Sequence, residues 1–122
     1  MVELKVYAYP KCGTCRNAIK WLKEQGHTVN EVHIVEQPPS FEELKSLVKL
    51  SGLELKKWFN VSGNLYKEMA LKDKLPEMKE EEQLQLLASH GMLIKRPVVT
   101  DGRRVTIGFK EDEYQKMWGH DG

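Results

Sequence analysis

Leu4, Val6 and Ala8 alternate with Lys5, Tyr7 and Tyr9 near the start of the chain. Side chains at every second position share one face of an extended chain, so the pattern predicts a strand over residues 4–9, which Pro10 ends. From about Thr14 the spacing becomes helical. Ala18, Trp21, Leu22 and Gln25 share a face, Ile19 lies at its edge, and Lys20, Lys23 and Glu24 face outward. Gly26 stands where a left-handed helix stop is expected. A second strand, rich in valine and isoleucine, follows over residues 28–35. Strand, helix and strand in this order make a βαβ unit.

Pro38 and Pro39 break the chain, and Ser40 with Glu43 reads as a capping box. The helix behind it turns Phe41, Leu44, Leu47 and Val48 inward and ends near Ser51-Gly52. Residues 53–59 predict a short helical turn, 60–64 a loop, 66–71 a helical stretch, and 80–89 a helix with Leu84, Leu87 and Ala88 inward. Val98–Thr100 and Val105–Ile107 flank Asp101-Gly102-Arg103-Arg104, a hairpin-like turn, and residues 111–118 form a last helix. The order is βαβ, helices, then ββα. It predicts an α/β fold in a single domain: a thioredoxin-like core with a four-stranded mixed sheet, built from residues 1–36 and 93–122, with a helical insertion over about 37–92.

Composition narrows the function classes. A chain of 122 residues can bury a core without disulfide or zinc staples. Charged residues make up 30% of it but the net charge is only +1, so no electrostatic footprint for direct nucleic-acid binding is present. Trp21, Trp58 and Trp118 do not alternate with basic residues as a base-stacking platform would, and read as packing. No apolar run reaches membrane-spanning length, and the first residues do not resemble a signal peptide, so the expectation is a cytoplasmic protein without a membrane partner. In that compartment a close cysteine pair is more often catalytic, sensory or metal-binding than structural.

Cys12 and Cys15 are the only cysteines. A structural zinc needs four ligands, and His27, His33, His90 and His120 are scattered with no second pair, which disfavours zinc. Two small buried side chains would be the plainest account. The position favours redox use instead. A free thiol has a pKa of about 8.5 and needs help to ionise, which a helix N-terminus supplies through unpaired N–H groups and its dipole. Cys12 lies just before the predicted helix and Cys15 one turn inside it, so Cys12 is the expected nucleophile and Cys15 the resolving thiol. Lys11 and Arg16 add positive charge, while Gly13 and Thr14 leave room for a substrate. No bound cofactor is required. An external thiol reductant is expected: glutaredoxin, thioredoxin or a low-molecular-weight thiol.

Arg96-Pro97 precedes the strand Val98–Thr100. Thioredoxin-type folds place a cis-proline beside the active cysteine just before a central strand, and Pro97 fits that role; it would expose the preceding backbone for substrate docking, with Arg96 facing the sulfur. A trans-proline opening an edge strand, with Arg96 solvated, fits the order equally well. Tyr9 could border the site, though a strand-end tyrosine at the sheet edge is the plainer account.

Three segments together resemble the arsenate reductase (ArsC)/Spx/MgsR family: Y-x-x-P-x-C-x-x-C-R-x-A around Cys12, S-G-x-x-Y-K-E over residues 62–68, and K-R-P-V-V over residues 95–99. The resemblance spans nearly the whole chain and implies a thioredoxin-like core with a helical insertion. It implies that Cys12 matches the cysteine that attacks arsenate in glutaredoxin-coupled arsenate reductases, and Arg96 an oxyanion-holding arginine. Asn60 stands where the family has another arginine, and the later arginine has no clear counterpart, with Lys110 or Arg104 as substitutes. Cys15 is what Spx-type regulators carry as a redox switch. That branch implies a partner, the RNA polymerase α-subunit, with Gly52 and Arg96 at contact positions. The wording of the 59–68 segment looks most like the small family members of unassigned role.

Overall fold

In a computed structural model, residues 3–119 of the chain are described. They form two compact units, one from the chain ends up to His33 and from Arg96 onward, the other from Ile34–Lys95.

The first unit is built on a sheet of β1 (Glu3–Ala8), β2 (Thr28–His33), β3 (Val98–Thr100) and β4 (Val105–Ile107), in the order β2-β1-β3-β4. β1 runs parallel to β2 and antiparallel to β3, and β3 pairs antiparallel with β4. The sheet is therefore mixed, as the element order predicts. β1 has a neighbour on each side, which explains why it is apolar beyond its alternating face: Leu4, Val6 and Ala8 are buried, and so is Tyr7. Val6 lies opposite Val99 and Tyr7 opposite Val98, so the two pairs project from opposite faces.

Helices α1 (Gly13–Glu24) and α6 (Glu111–Trp118) cover the Val6–Val99 face. α1 contributes Cys15, Ala18, Ile19, Trp21 and Leu22, and α6 contributes Tyr114 and Trp118. Trp21 and Phe109 both meet the Tyr114 ring edge-on, at centroid distances of 5.6 and 4.7 Å. The polar tips in this core are satisfied: Tyr114 donates to the Gly108 carbonyl at 2.8 Å, and the Trp118 indole donates to Thr106 at 3.1 Å.

The second unit is helical: α2 (Phe41–Ser51), a 3-10 turn (Leu55–Trp58), α3 (Asn64–Glu68), α4 (Leu71–Lys74) and α5 (Glu80–Ser89). The Ser40 hydroxyl accepts the Glu43 N–H at 3.2 Å and caps α2, whose other end turns through left-handed Gly52 at φ 69°. Leu44, Leu47, Trp58, Phe59, Leu71, Leu87 and Leu93 are buried. Phe41, Val48 and Ala88 are only half-buried.

Two boundaries depart from the periodicity. The expected helix over 66–71 begins earlier, at Asn64, and breaks at Ala70, whose left-handed backbone (φ 53°, ψ 41°) separates α3 from α4. Nothing in the apolar spacing marks that break. The second strand stops at His33, short of Val35, because its partner ends at Ala8 and the register exhausts β1 there.

Candidate functional site

The sheet register builds the site. Tyr7 pairs with Val98, so beyond the strand ends the chain sets Tyr9 beside Arg96 and the turn after β1 beside Pro97. The Arg96–Pro97 bond is cis. This decides between the two readings of the Arg-Pro step. Pro97 is buried, and its carbonyl accepts the Gly108 N–H at 2.9 Å.

Cys12 is the N-cap of α1, with extended backbone (φ −91°, ψ 113°). Its N–H donates to the Tyr9 carbonyl at 3.0 Å, its carbonyl accepts the Arg16 N–H at 3.1 Å, and its Sγ accepts the Cys15 N–H at 3.4 Å. A sulfur thus occupies the place usually taken by a serine or aspartate oxygen. Both cysteines are free thiols. Burial pushes the Cys12 thiol up, but hydrogen bonds from the Cys15 side chain and backbone, with the hydrogen bond and charge of Arg96, outweigh it and hold the thiol below its ordinary value. Cys15 goes the other way. Burial lifts it to about 12, a backbone hydrogen bond from Tyr9 opposes the rise, and the hydrogen bond and charge of Cys12 add to it. The two thiols, one turn apart, are therefore electronically unlike, Cys12 lowered and Cys15 raised.

The other predicted residues separate into groups. Arg96 is half-buried, acts on Cys12 directly, and lies over the Tyr9 ring with Cζ 5.5 Å from its centroid. Lys11, Gly13, Thr14 and Arg16 are exposed around the cap. A Cβ built on Gly13 would meet nothing within 4 Å, so the approach is open. Asn60 belongs to the second unit and organises its own turn: its N–H donates to Leu93 at 2.7 Å, its carbonyl accepts the Gly63 N–H at 3.0 Å, and its Oδ1 accepts from Ser62 at 3.4 Å.

Arg104, named above as a substitute for the family's later arginine, is engaged within the hairpin and with α6. Its Nε and Nη2 donate to Asp101 Oδ2 at 3.1 and 3.0 Å, and its Nη1 donates to the Met117 carbonyl at 2.7 Å. Its guanidinium also stacks on Trp118, Cζ 4.9 Å from the ring centroid. Each of its three nitrogens donates one hydrogen bond that joins the hairpin to α6. Lys110 is exposed and lies 3.9 Å from Glu113.

Residues 7–117 match the model of the ArsC family. The chain belongs to that family. The uncharacterised protein YusI of Bacillus subtilis is 62% identical over 117 residues, which is 96% of this chain and 99% of YusI. A solved Bacteroides fragilis structure of an ArsC-family-related protein is 48% identical, covers 93% of this chain and 96% of its own, and superimposes with a TM-score of 0.89. The regulatory protein MgsR of B. subtilis is 30% identical over 94% of this chain and 90% of its own. The ArsC family includes arsenate reductases as well as transcription regulators.

Within this ArsC-family site, sequence reasoning undervalued Tyr9. It is not a plain strand-edge residue. It carries Arg96 on one side and meets His33 edge-on at 5.7 Å on another. Its place directly before Pro10-Lys11-Cys12 was the available signal.

Proposed function

We propose that the protein is a thiol–disulfide oxidoreductase of arsenate-reductase-like type, acting in the cytoplasm. The observation that carries the reading is the placement of the two free thiols: Cys12 caps α1 and its Sγ accepts the Cys15 N–H at 3.4 Å, an arrangement that lowers Cys12 and leaves buried Cys15 raised. The Cys12 thiolate attacks one sulfur of a substrate disulfide, forming a mixed disulfide and expelling the other sulfur as a thiolate, which takes up a proton. Cys12 is then neutral. The negative charge that raised Cys15 is gone, so Cys15 ionises more readily, attacks Cys12 Sγ, and releases the reduced substrate. Two electrons have left the protein as its two thiols became a disulfide. An external reductant restores them: a glutaredoxin, a thioredoxin or a low-molecular-weight thiol.

Arg96 stabilises the Cys12 thiolate, and cis Pro97 offers the docking edge for the substrate backbone. Lys11, Gly13, Thr14 and Arg16 border the approach, and Asn60 is assigned to substrate binding on the family's pattern. With Arg104 committed to Asp101 and the Met117 carbonyl, Arg96 carries most of the cationic role. That favours a disulfide over arsenate, a multiply charged oxyanion that calls for several fixed cations.

The likeness to the regulatory protein MgsR supports a second reading, a redox-switched regulator, for which the Spx resemblance implies the RNA polymerase α-subunit as partner. One experiment separates the two. The Cys15→Ser protein, tagged and exposed to native extract, is expected to retain substrates as mixed disulfides that a reductant releases. Retention of the polymerase α-subunit without a disulfide overturns the enzyme reading in favour of the regulator.

A further inference from the structure

A cavity of about 640 Å³ is bounded by α1, the end of β1 and β2. This lies within the range of roughly 300–1,000 Å³ typical of small-molecule sites. Its lining belongs entirely to the first unit and does not include Cys12, so its occupant is not held by the nucleophilic sulfur. β1 and β2 run parallel, so the helix that joins them runs back against both. The start of α1 therefore lies beside Tyr9 and Pro10, just past the end of β1, and its last turn lies toward the opposite end of the strands. With Ala8 and Ile19, Tyr9 and Pro10 make one end of the cavity apolar.

The other end is charged with both signs. Lys20, Lys23 and Glu24 come from the second half of α1. Glu31 is paired with Val6 on β1, so its side chain projects on the face that α1 covers. Arg16 stands one turn before Lys20 on the same ridge of the helix. All five charged residues are exposed, and none of them joins an ion pair among the described residues. An apolar wall thus meets a mixed set of charges whose strongest partners would come from outside the chain.

We propose that this cavity binds a free α-amino acid with an apolar side chain. Lys20 and Lys23 take its carboxylate, Glu24 and Glu31 take its ammonium group, and its side chain lies on Ile19 toward Tyr9 and Pro10. The charges select the head group. A simple carboxylate would meet two like charges, and a simple amine would meet three. Only a zwitterion answers both signs at once. The apolar end selects the side chain, because removing that surface from water supplies the affinity while the polar groups fix the orientation. An aromatic side chain adds an edge contact with the Tyr9 ring. The proposal stands apart from the oxidoreductase reading: no bond is made or broken, and neither thiol reacts.

The test titrates L-phenylalanine into the reduced protein and follows backbone amides by NMR. Saturable shifts are expected at Tyr9, Ile19, Lys20, Lys23 and Glu31. N-acetylphenylalanine and phenylalaninamide each lack one charge, and each should bind at least about fivefold more weakly, the scale set by exposed ion pairs. Glycine, without the side chain, should give no saturable shifts. The Lys20→Glu/Lys23→Glu variant should lose phenylalanine affinity by a similar factor. The Glu24→Gln/Glu31→Gln variant should also bind phenylalanine more weakly but keep or gain affinity for N-acetylphenylalanine. Absence of saturable shifts at millimolar phenylalanine, or shifts confined to other residues, overturns the site. Equal binding of N-acetylphenylalanine to the wild type overturns the zwitterion in favour of a plain carboxylate, such as a peptide C-terminus. Glycine binding as tightly as phenylalanine removes the apolar end from the site. Phenylalanine affinity unchanged in both double variants overturns the assignment of the charges.

Discussion

The guanidinium of Arg96 lies over the ring of Tyr9, Cζ 5.5 Å from the centroid, while the same guanidinium bonds to Cys12. Tyr9 precedes Pro10 and Arg96 precedes Pro97, so each of the two turns at this end of the sheet supplies one member of the contact. The ring is a platform that aims the charge at the sulfur.

Removing that charge should raise the Cys12 pKa. Arg96→Gln is expected to lift it, because the hydrogen bond and the charge that favour the thiolate are both removed. Tyr9→Leu should move it in the same direction by less, because the guanidinium remains but loses its support. Thiolate absorbance against pH, measured in Cys15→Ser variants so that one thiol titrates, checks both. An unchanged Cys12 titration in Arg96→Gln would remove Arg96 from the site.

Cys15 makes the reduced protein sensitive to alkali. Its folded pKa, about 12, lies above the ordinary 9.0, so the native state holds this proton more tightly than the unfolded chain does. The contribution is fully present below about pH 9 and is lost as pH rises toward 12. Buried Tyr114, also raised, acts in the same sense. Denaturant unfolding at about pH 8 and about pH 10.5 should show a smaller alkaline loss in Cys15→Ala than in the reduced wild type. Equal losses would mean that Cys15 is not shielded.

Asp101 holds the hairpin against α6. Its Oδ1 accepts the N–H groups of Arg103 and Arg104 at 2.9 and 2.8 Å, and its Oδ2 takes the Arg104 fork. Burial alone would push its pKa up, but the hydrogen bonds of Arg104 and Arg103 and the charge of Arg104 hold it below the ordinary 3.8. This stability is present above that value and is lost as pH falls through the folded pKa. Asp101→Ala should cost about 1 kcal/mol in chemical denaturation, since it removes hydrogen bonds whose exposed donors can turn to water. Thiol alkylation kinetics should hardly change, which separates this loss from damage to the site.

Glycines 13 and 91 should respond oppositely to alanine. A Cβ on Gly91 would sit 2.0 Å from the Ile34 carbonyl oxygen, so the backbone must move, and a loss of about 2 kcal/mol or more is expected from thermal melting. A Cβ on Gly13 meets open space, and alanine is the better helix former. Gly13→Ala should keep or slightly raise the melting temperature while slowing reaction with protein disulfides.

Much of this was legible in the chain because local rules and tertiary structure agree. The alternation of Leu4, Val6 and Ala8, the Ser40 cap, the Asp101-Gly102 turn and the three tryptophans all behave as their patterns imply. The Cys pair at a helix start was readable because the first strand and helix are strongly periodic. Other features depend on pairings that periodicity does not encode. The left-handed Ala70 has no glycine to announce it. Arg104 could be read as a free cation until the hairpin brought it to Met117 and Trp118.

Cys15 shares its core with Trp21 and Trp118, and Trp21 meets Tyr114 edge-on. A disulfide quenches nearby indole emission more strongly than a thiol does. The interior therefore acts as a built-in optical gauge. Intrinsic fluorescence should brighten on reduction and dim on oxidation, so the redox state can be followed in real time without a dye, a coupled enzyme or an added label.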